Sequence, residues 1–248
     1  MHLWRVLAST RGLVLRQTRY GEGSLILQVY TEQFGSQGYV VSGVRSAKSR
    51  LKAAMFQPMT LLELVVYQKE GKDLHRIREA RFAHVYARIP FEPARRAVGL
   101  FMSEVLLRAL REEPPHPELY AFAEQAFLIL DRCERGLSAF PAAFLVGISR
   151  HLGFDPQGSP GPNTPYFDLR DGNFTAQRPI HGEMLMPDEG AWLLKAAAFN
   201  WDEPKPMGLL PAQRQILLDR LLVYVRHHVA GFGTLKSPAV LHDIMARD

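Results

Sequence analysis

The alternation of apolar and polar positions changes period once along the chain, near residue 87. Before that point it has the two-residue period of half-buried strands. In GLVLRQT, Leu13 and Leu15 are expected on one face and Val14, Arg16 and Thr18 on the other. After a turn at Gly21-Glu22-Gly23, Ser24–Thr31 reads as a second strand; Gly35 and Gly38 then allow a tight reversal into a third, Gln37–Ser42. Pro58 marks the entry to a fourth, Thr60–Lys69, whose Leu61, Leu62, Leu64, Val65 and Val66 read as buried on both sides. Gly71-Lys72-Asp73 turns the chain into a fifth, Leu74–Phe82, with His75 and Ile77 on one face and Arg76 and Arg78 on the other. Five short strands closed by turns predict a small barrel; periodicity alone leaves the OB and SH3-like types both open.

Beyond Ala87 the apolar positions recur at three and four, the spacing of helices packed on one side. Pro93 opens a helix with Ala97, Val98, Phe101, Met102, Val105 and Leu106 on its stripe, ending before Pro114-Pro115. Further helices are expected over Pro117–Arg132, from about Ala139 to Leu152, from an Asp188 cap to Phe199, and from Pro211 to about Val229. Between Phe154 and Pro187 glycine, proline and asparagine accumulate, with a hairpin of Tyr166–Leu169 and Phe174–Gln177 turned by Asp171-Gly172-Asn173. The last fifteen residues read as extended. The fold class is therefore α+β: a five-stranded barrel over residues 1–87, then a mainly helical domain over 88–248 with a Gly/Pro-rich hairpin segment at 154–187.

Charge sharpens this division. The chain carries +5 overall, but residues 1–87 hold thirteen Lys and Arg against six acids, or +7, and residues 88–248 hold seventeen against nineteen, or −2. Arg45, Lys48, Arg50 and Lys52 stand in one insert between the third and fourth strands with no acid among them. Such a cluster relieves its repulsion through solvent, salt or phosphate, and the basic character belongs to the barrel. Arg16, Arg45, Lys48, Arg50, Lys52, Arg76 and Arg78 form a candidate phosphate-binding set, with Tyr20 and Phe34 available for base stacking.

Motifs of catalysis and metal binding are absent. Gly71-Lys72 lacks the rest of a P-loop, and Gly21-Glu22-Gly23 lacks the third glycine of a dinucleotide fingerprint. His181-Gly182-Glu183 imitates the opening of a zinc deaminase signature, but Cys133 is the single cysteine and the metal site cannot be completed that way. His227 and His228 adjoin on a helix and face different directions, so they do not chelate one ion together. Cys133, at the end of an apolar stripe, is expected to be a small buried hydrophobe. A non-enzyme without cofactor is expected. The absence of a long apolar run or a signal-peptide core points to a soluble, cytoplasmic protein.

The run from Gly12 to Ala80 resembles the N-terminal part of the RecO family, bacterial recombination mediators and DNA repair proteins. The most specific match is Gly43–Leu64, with its basic Ser-containing insert, Gln57-Pro58 and Leu62-Glu63-Leu64; Leu74–Glu79 strengthens it. The likeness continues more weakly through the helices and the Tyr166-Phe167-Asp168-Leu169 hairpin with Pro179 and His181. It implies an N-terminal OB-fold followed by a helical domain, and a nucleoid-associated protein that changes no bonds. It further implies binding of single- and double-stranded DNA, strand annealing, action with RecR, docking of the acidic C-terminal tail of single-stranded DNA-binding protein, and indirect help to RecA. Some members carry a four-cysteine zinc site in the region of Phe154–Pro187; this chain has no cysteine there, and no zinc is expected. The rival reading is an interaction scaffold whose basic face docks acidic peptides, with Arg132 or Arg150 meeting carboxylates and DNA binding incidental.

Overall fold

The computed structural model describes residues 6–44, 51–68, 71–110 and 114–245. Its first five strands are β1 (Val6–Tyr20), β2 (Ser24–Thr31), β3 (Gly35–Ser42), β4 (Leu61–Gln68) and β5 (Leu74–Phe82). They close into a barrel in the order β1-β2-β3-β5-β4, every pair antiparallel except β3 with β5. Of the two barrel types left open by periodicity, this order is OB-like.

β1 is long because it serves two neighbours: its first half, Val6 to Leu13, pairs with β4, and Gly12 to Tyr20 pair with β2. Where it changes partner there is no room for a side chain. A Cβ on Gly12 would lie 2.8 Å from Val29 Cγ1 and 3.0 Å from Leu64 Cδ1. The interior is filled by Val14, Leu27, Val29, Tyr39, Val41, Leu62 and Leu64 with their neighbours. The parallel contact that closes the ring is equally close, since a Cβ on Gly38 would meet the Asp73 carbonyl oxygen at 2.8 Å.

Two slips of register correct the expected alternation. Val14 belongs to the interior while Arg16 and Thr18 are exposed, because the β1–β2 register shifts between Val14 and Arg16. Leu15 is the extra residue of a β-bulge. On β5, Arg78 is extra in the same sense: Val66 faces Ile77 and Val65 faces Glu79. β4 is not buried on both sides throughout; Leu62, Leu64 and Val66 fill the barrel, but Glu63 is exposed and Val65 half-buried.

The chain divides into two compact units, Met1–Ala87 with Leu106–Phe127, and Arg88–Val105 with Leu128–Asp248. The barrel's unit therefore takes in Leu106–Phe127, beyond the change of period at residue 87. Within it the first part of α2 (Pro117–Arg132) covers one side of the barrel. The Tyr30 ring lies 5.5 Å from that of Tyr120, the Tyr30 hydroxyl donates to the His116 carbonyl at 3.1 Å, and Arg11 meets Glu124 at 2.8 Å.

The second unit is built on α3 (Phe140–His151), buried at every position from Phe140 to Ser149, against which α4 (Pro187–Ala197) and α5 (Pro211–His228) pack. α1 (Pro93–Ala109) brings in Arg95, whose guanidinium is buried where α2 ends. It donates to the carbonyls of Leu130 and Cys133, and Asp131 accepts the N–H groups of Arg88 and Ile89, each at 2.9 Å. Cys133 is buried, as expected.

Three local expectations change in this unit. The hairpin, β6 (Tyr166–Asp168) and β7 (Asn173–Thr175), gains a third strand, β8 (Met184–Leu185), too short to leave a periodic pattern. Asp188 does not cap α4; the cap is Met186, whose N–H is bound by the Glu189 carboxylate at 2.9 Å. The terminal segment is not extended but forms α6 (Ser237–Met245), because Glu104 on α1 accepts the N–H groups of Lys236 and Ser237 at 3.0 and 2.8 Å.

Candidate nucleic-acid interface

Register fixes what the barrel shows to solvent. On β2 and β3, Leu25, Leu27, Val29, Tyr39 and Val41 point inward, so Ser24, Ile26, Gln28, Gly38, Val40 and Ser42 point outward. Three rungs cross this outer face: Arg16, Gln28 and Gly38; Thr18, Ile26, Val40 and Arg76; Tyr20, Ser24 and Ser42. The floor is uncharged and low. Arg16 and Tyr20 border it on β1, and Arg76 borders it on β5, roughly 14 Å from Thr18 at three strand spacings. All three border residues are exposed, Tyr20 at 58%.

The other expected residues are placed differently. Arg78, the bulged residue of β5, is exposed and lies 3.3 Å from the carboxylate of its neighbour Glu79. Phe34 is half-buried and packed against the barrel interior, so its ring does not form a stacking platform. Lys52 is exposed and begins the 3₁₀ turn Ala53–Phe56. Arg45, Lys48 and Arg50 lie outside the described residues. Of the set, the structure brings Arg16, Tyr20 and Arg76 around one face. Sequence reading missed its floor, Ile26, Gln28 and Val40, because neutral side chains carry no chemical signature and only register shows their direction.

The opposite outer face, on β1, β4 and β5, is electrostatically mixed. Arg11, Glu63 and Arg81 share one rung, and Ser9, Val65 and Glu79 the next. Arg11 also holds the buried Glu124, whose carboxyl burial pushes up while the arginine draws it back. The two faces thus differ in kind: alternating charge on one, cations around a neutral floor on the other. Inside, burial pushes the Tyr39 hydroxyl up to about 12, and it donates to Gln37 at 2.9 Å while Gln68 donates to both. Burial holds the nearby His75 below its usual value, hence neutral.

In the second unit, the His181 ring has both nitrogens engaged, Nε2 with Asp168 at 3.1 Å and Nδ1 accepting the Glu183 N–H at 3.1 Å. Burial opposes ionisation of Asp168, but the N–H groups of Arg170 and Asp171 and the His181 ring outweigh it and hold the carboxyl below its usual range. His227 meets Glu183 at 3.0 Å while His228 stacks on Phe154, so the two rings diverge as expected. Among the described residues no group of three or more His, Cys, Asp or Glu side chains is arranged to hold a metal. Also among them, no helix is long and apolar enough to cross a membrane.

A closed five-stranded barrel of this order, followed by helices, defines an OB-type protein with a helical domain. Residues 1–86 match the family described as "Recombination protein O N terminal" and residues 90–160 "Recombination protein O C terminal". The chain is similar to the DNA repair protein RecO of Bacteroides fragilis, 33% identical over 240 residues that cover 96% of this chain and 99% of that protein. It is similar to its counterpart in Phocaeicola vulgatus, 32% identical over 241 residues covering 97% and 100%. The RecO protein of Flavobacterium psychrophilum is 30% identical over 239 residues, covering 96% and 98%. The chain belongs to the RecO family of DNA repair proteins.

Proposed function

We propose that this protein is a non-catalytic recombination mediator. It binds single- and double-stranded DNA through the barrel and anneals complementary strands by offsetting the repulsion between their phosphates. In this reading it works with RecR, docks the tail of single-stranded DNA-binding protein and thereby assists RecA loading, in the cytoplasm at the nucleoid. The observation that carries it is the placement of Arg16 and Arg76 on the two borders of an uncharged face, with Tyr20 at its end. Cationic rims track a backbone, and a floor without charged groups leaves base edges free to pair, which is what annealing requires. The insert of Arg45, Lys48, Arg50 and Lys52 adds phosphate ligands in the same domain.

A salt titration tests this. If Arg16 and Arg76 each neutralise one phosphate of a single strand, reversing both to Glu should flatten the slope of log affinity against log salt by about 1.4. Arg81→Glu, on the mixed face, should change the slope little. Equal effects of all three reversals would remove the β2–β3 face from the mechanism.

A second reading concerns docking. A groove of about 450 Å³ in the second unit is lined by Pro141, Ala142, Met207, Ile216 and Leu241, with Arg214 at its side. Apolar walls beside a cation suit the apolar end of an acidic peptide, such as the tail implied by the family resemblance. In a competition assay, independent binding of peptide and DNA supports two sites; stoichiometric displacement would favour one shared surface and the scaffold reading.

A further inference from the structure

We infer that the bulge at Leu15, pinned by Met59 and Tyr86, is the positioning device that turns Arg16 and Tyr20 onto the proposed DNA face. This rests on that reading of the face and adds what aims its side chains.

Val14 faces the barrel interior opposite Val29. In an unbroken strand, Arg16, Thr18 and Tyr20 would follow Val14 inward, because side chains two residues apart share a face. The extra residue at Leu15 reverses this, and Arg16, Thr18 and Tyr20 instead pair with the outward Gln28, Ile26 and Ser24. Every border residue that β1 gives to the face depends on that slip. Bulges re-aim side chains in this way.

The slip is held from the other side of β1. Pairing with β4 ends at Leu13 and Leu61, and Val14 is met by two successive residues of the turn before β4. The Val14 N–H donates to the Thr60 carbonyl at 3.0 Å, and the Met59 N–H donates to the Val14 carbonyl at 2.7 Å. To make that bond Met59 adopts φ 77, and among the described residues it is the one non-glycine with positive φ. The turn is closed by the Thr60 N–H donating to Gln57 at 3.2 Å. With Pro58 second and a left-handed third residue, it is a type II turn. A non-glycine residue persists there only where its surroundings over-determine it. Tyr86 supplies the restraint: its hydroxyl donates to the Met59 carbonyl at 2.9 Å.

The test measures single-strand affinity and its salt slope on the full chain with a dye-labelled oligothymidylate, using Arg16→Ala, Tyr86→Phe, their combination, and Met59→Gly. Tyr86→Phe, which deletes one hydroxyl, should weaken binding about threefold, the size of a modest coupling between groups sharing a network. It should also move the salt slope toward that of Arg16→Ala and have a smaller effect in the Arg16→Ala background, where only Tyr20 remains to be misplaced. A merely structural role would lower stability without this coupling. Met59→Gly keeps the N–H and suits the turn, so affinity should stay within about twofold of the parent. Equal losses from Tyr86→Phe in both backgrounds, no loss at all, or a large loss in Met59→Gly would overturn the pin. If Arg16→Ala weakens binding and Tyr86→Phe does not, only this inference falls; if Arg16→Ala leaves affinity and slope unchanged, the DNA face falls with it.

Discussion

Gly38 and His75 show how much a single position carries in this barrel. Gly38 lets the parallel β3–β5 contact close, and a Cβ there would press on the backbone oxygen of Asp73. Backbone gives way less readily than a side-chain end, so Gly38→Ala should cost about 1–3 kcal/mol, as overpacked sites do, seen as a lower urea midpoint. His75 is buried and neutral, its value lowered from about 6.5 by desolvation. The unfolded chain takes up that proton first as pH falls, so the stability is full above about pH 6.5 and is lost between there and the depressed folded value. The urea midpoint should fall from pH 7.5 to 5.5, and less so in His75→Gln; identical declines would assign the effect to other groups. Neither residue announced its role in the sequence. Gly38 was legible as a turn former, but the carbonyl it makes room for is 35 positions away.

At the scale of elements, strands and helices with strong periods were legible almost to their ends. β2, β5 and α2 have the boundaries their patterns predict, because apolar spacing and flanking Gly or Pro are local causes. α6 was not legible, since its first turn is capped by Glu104 from α1. Glu104→Ala should cost roughly 1 kcal/mol, the usual worth of a lost cap. Hydrogen exchange should localise the loss: amides of 236–241 should exchange faster while those of α3 do not. The bulges at Leu15 and Arg78 escaped for a similar reason. An extra residue is visible only against the strand it fails to pair with, and reading β1 as strictly alternating put Val14 and Arg16 on one face.

For the whole molecule, the candidate site was half legible. The sequence located the cationic excess in the first 87 residues and named Arg16, Arg76 and Tyr20. It could not separate them from Phe34, drawn against the core. The barrel's last strand ends at Phe82, before the change of period at residue 87, and the compact unit that holds it also includes Leu106–Phe127, whose Tyr120 covers Tyr30. A fragment of residues 1–87 should therefore be destabilised by about 1.5–3 kcal/mol for each large apolar side chain it uncovers. It should bind a hydrophobic dye that the full chain excludes; a cooperative, dye-free fragment would show that the cover is dispensable.

The sequence by itself determined the local elements and the uneven charge, since hydrophobic period, turn chemistry and residue type act between near neighbours. Tertiary structure alone decided which cations share a face, where a strand slips by one residue and what caps the last helix. Those outcomes depend on pairing between segments far apart in the chain, and a one-residue change of register moves a side chain from the barrel's interior to its surface.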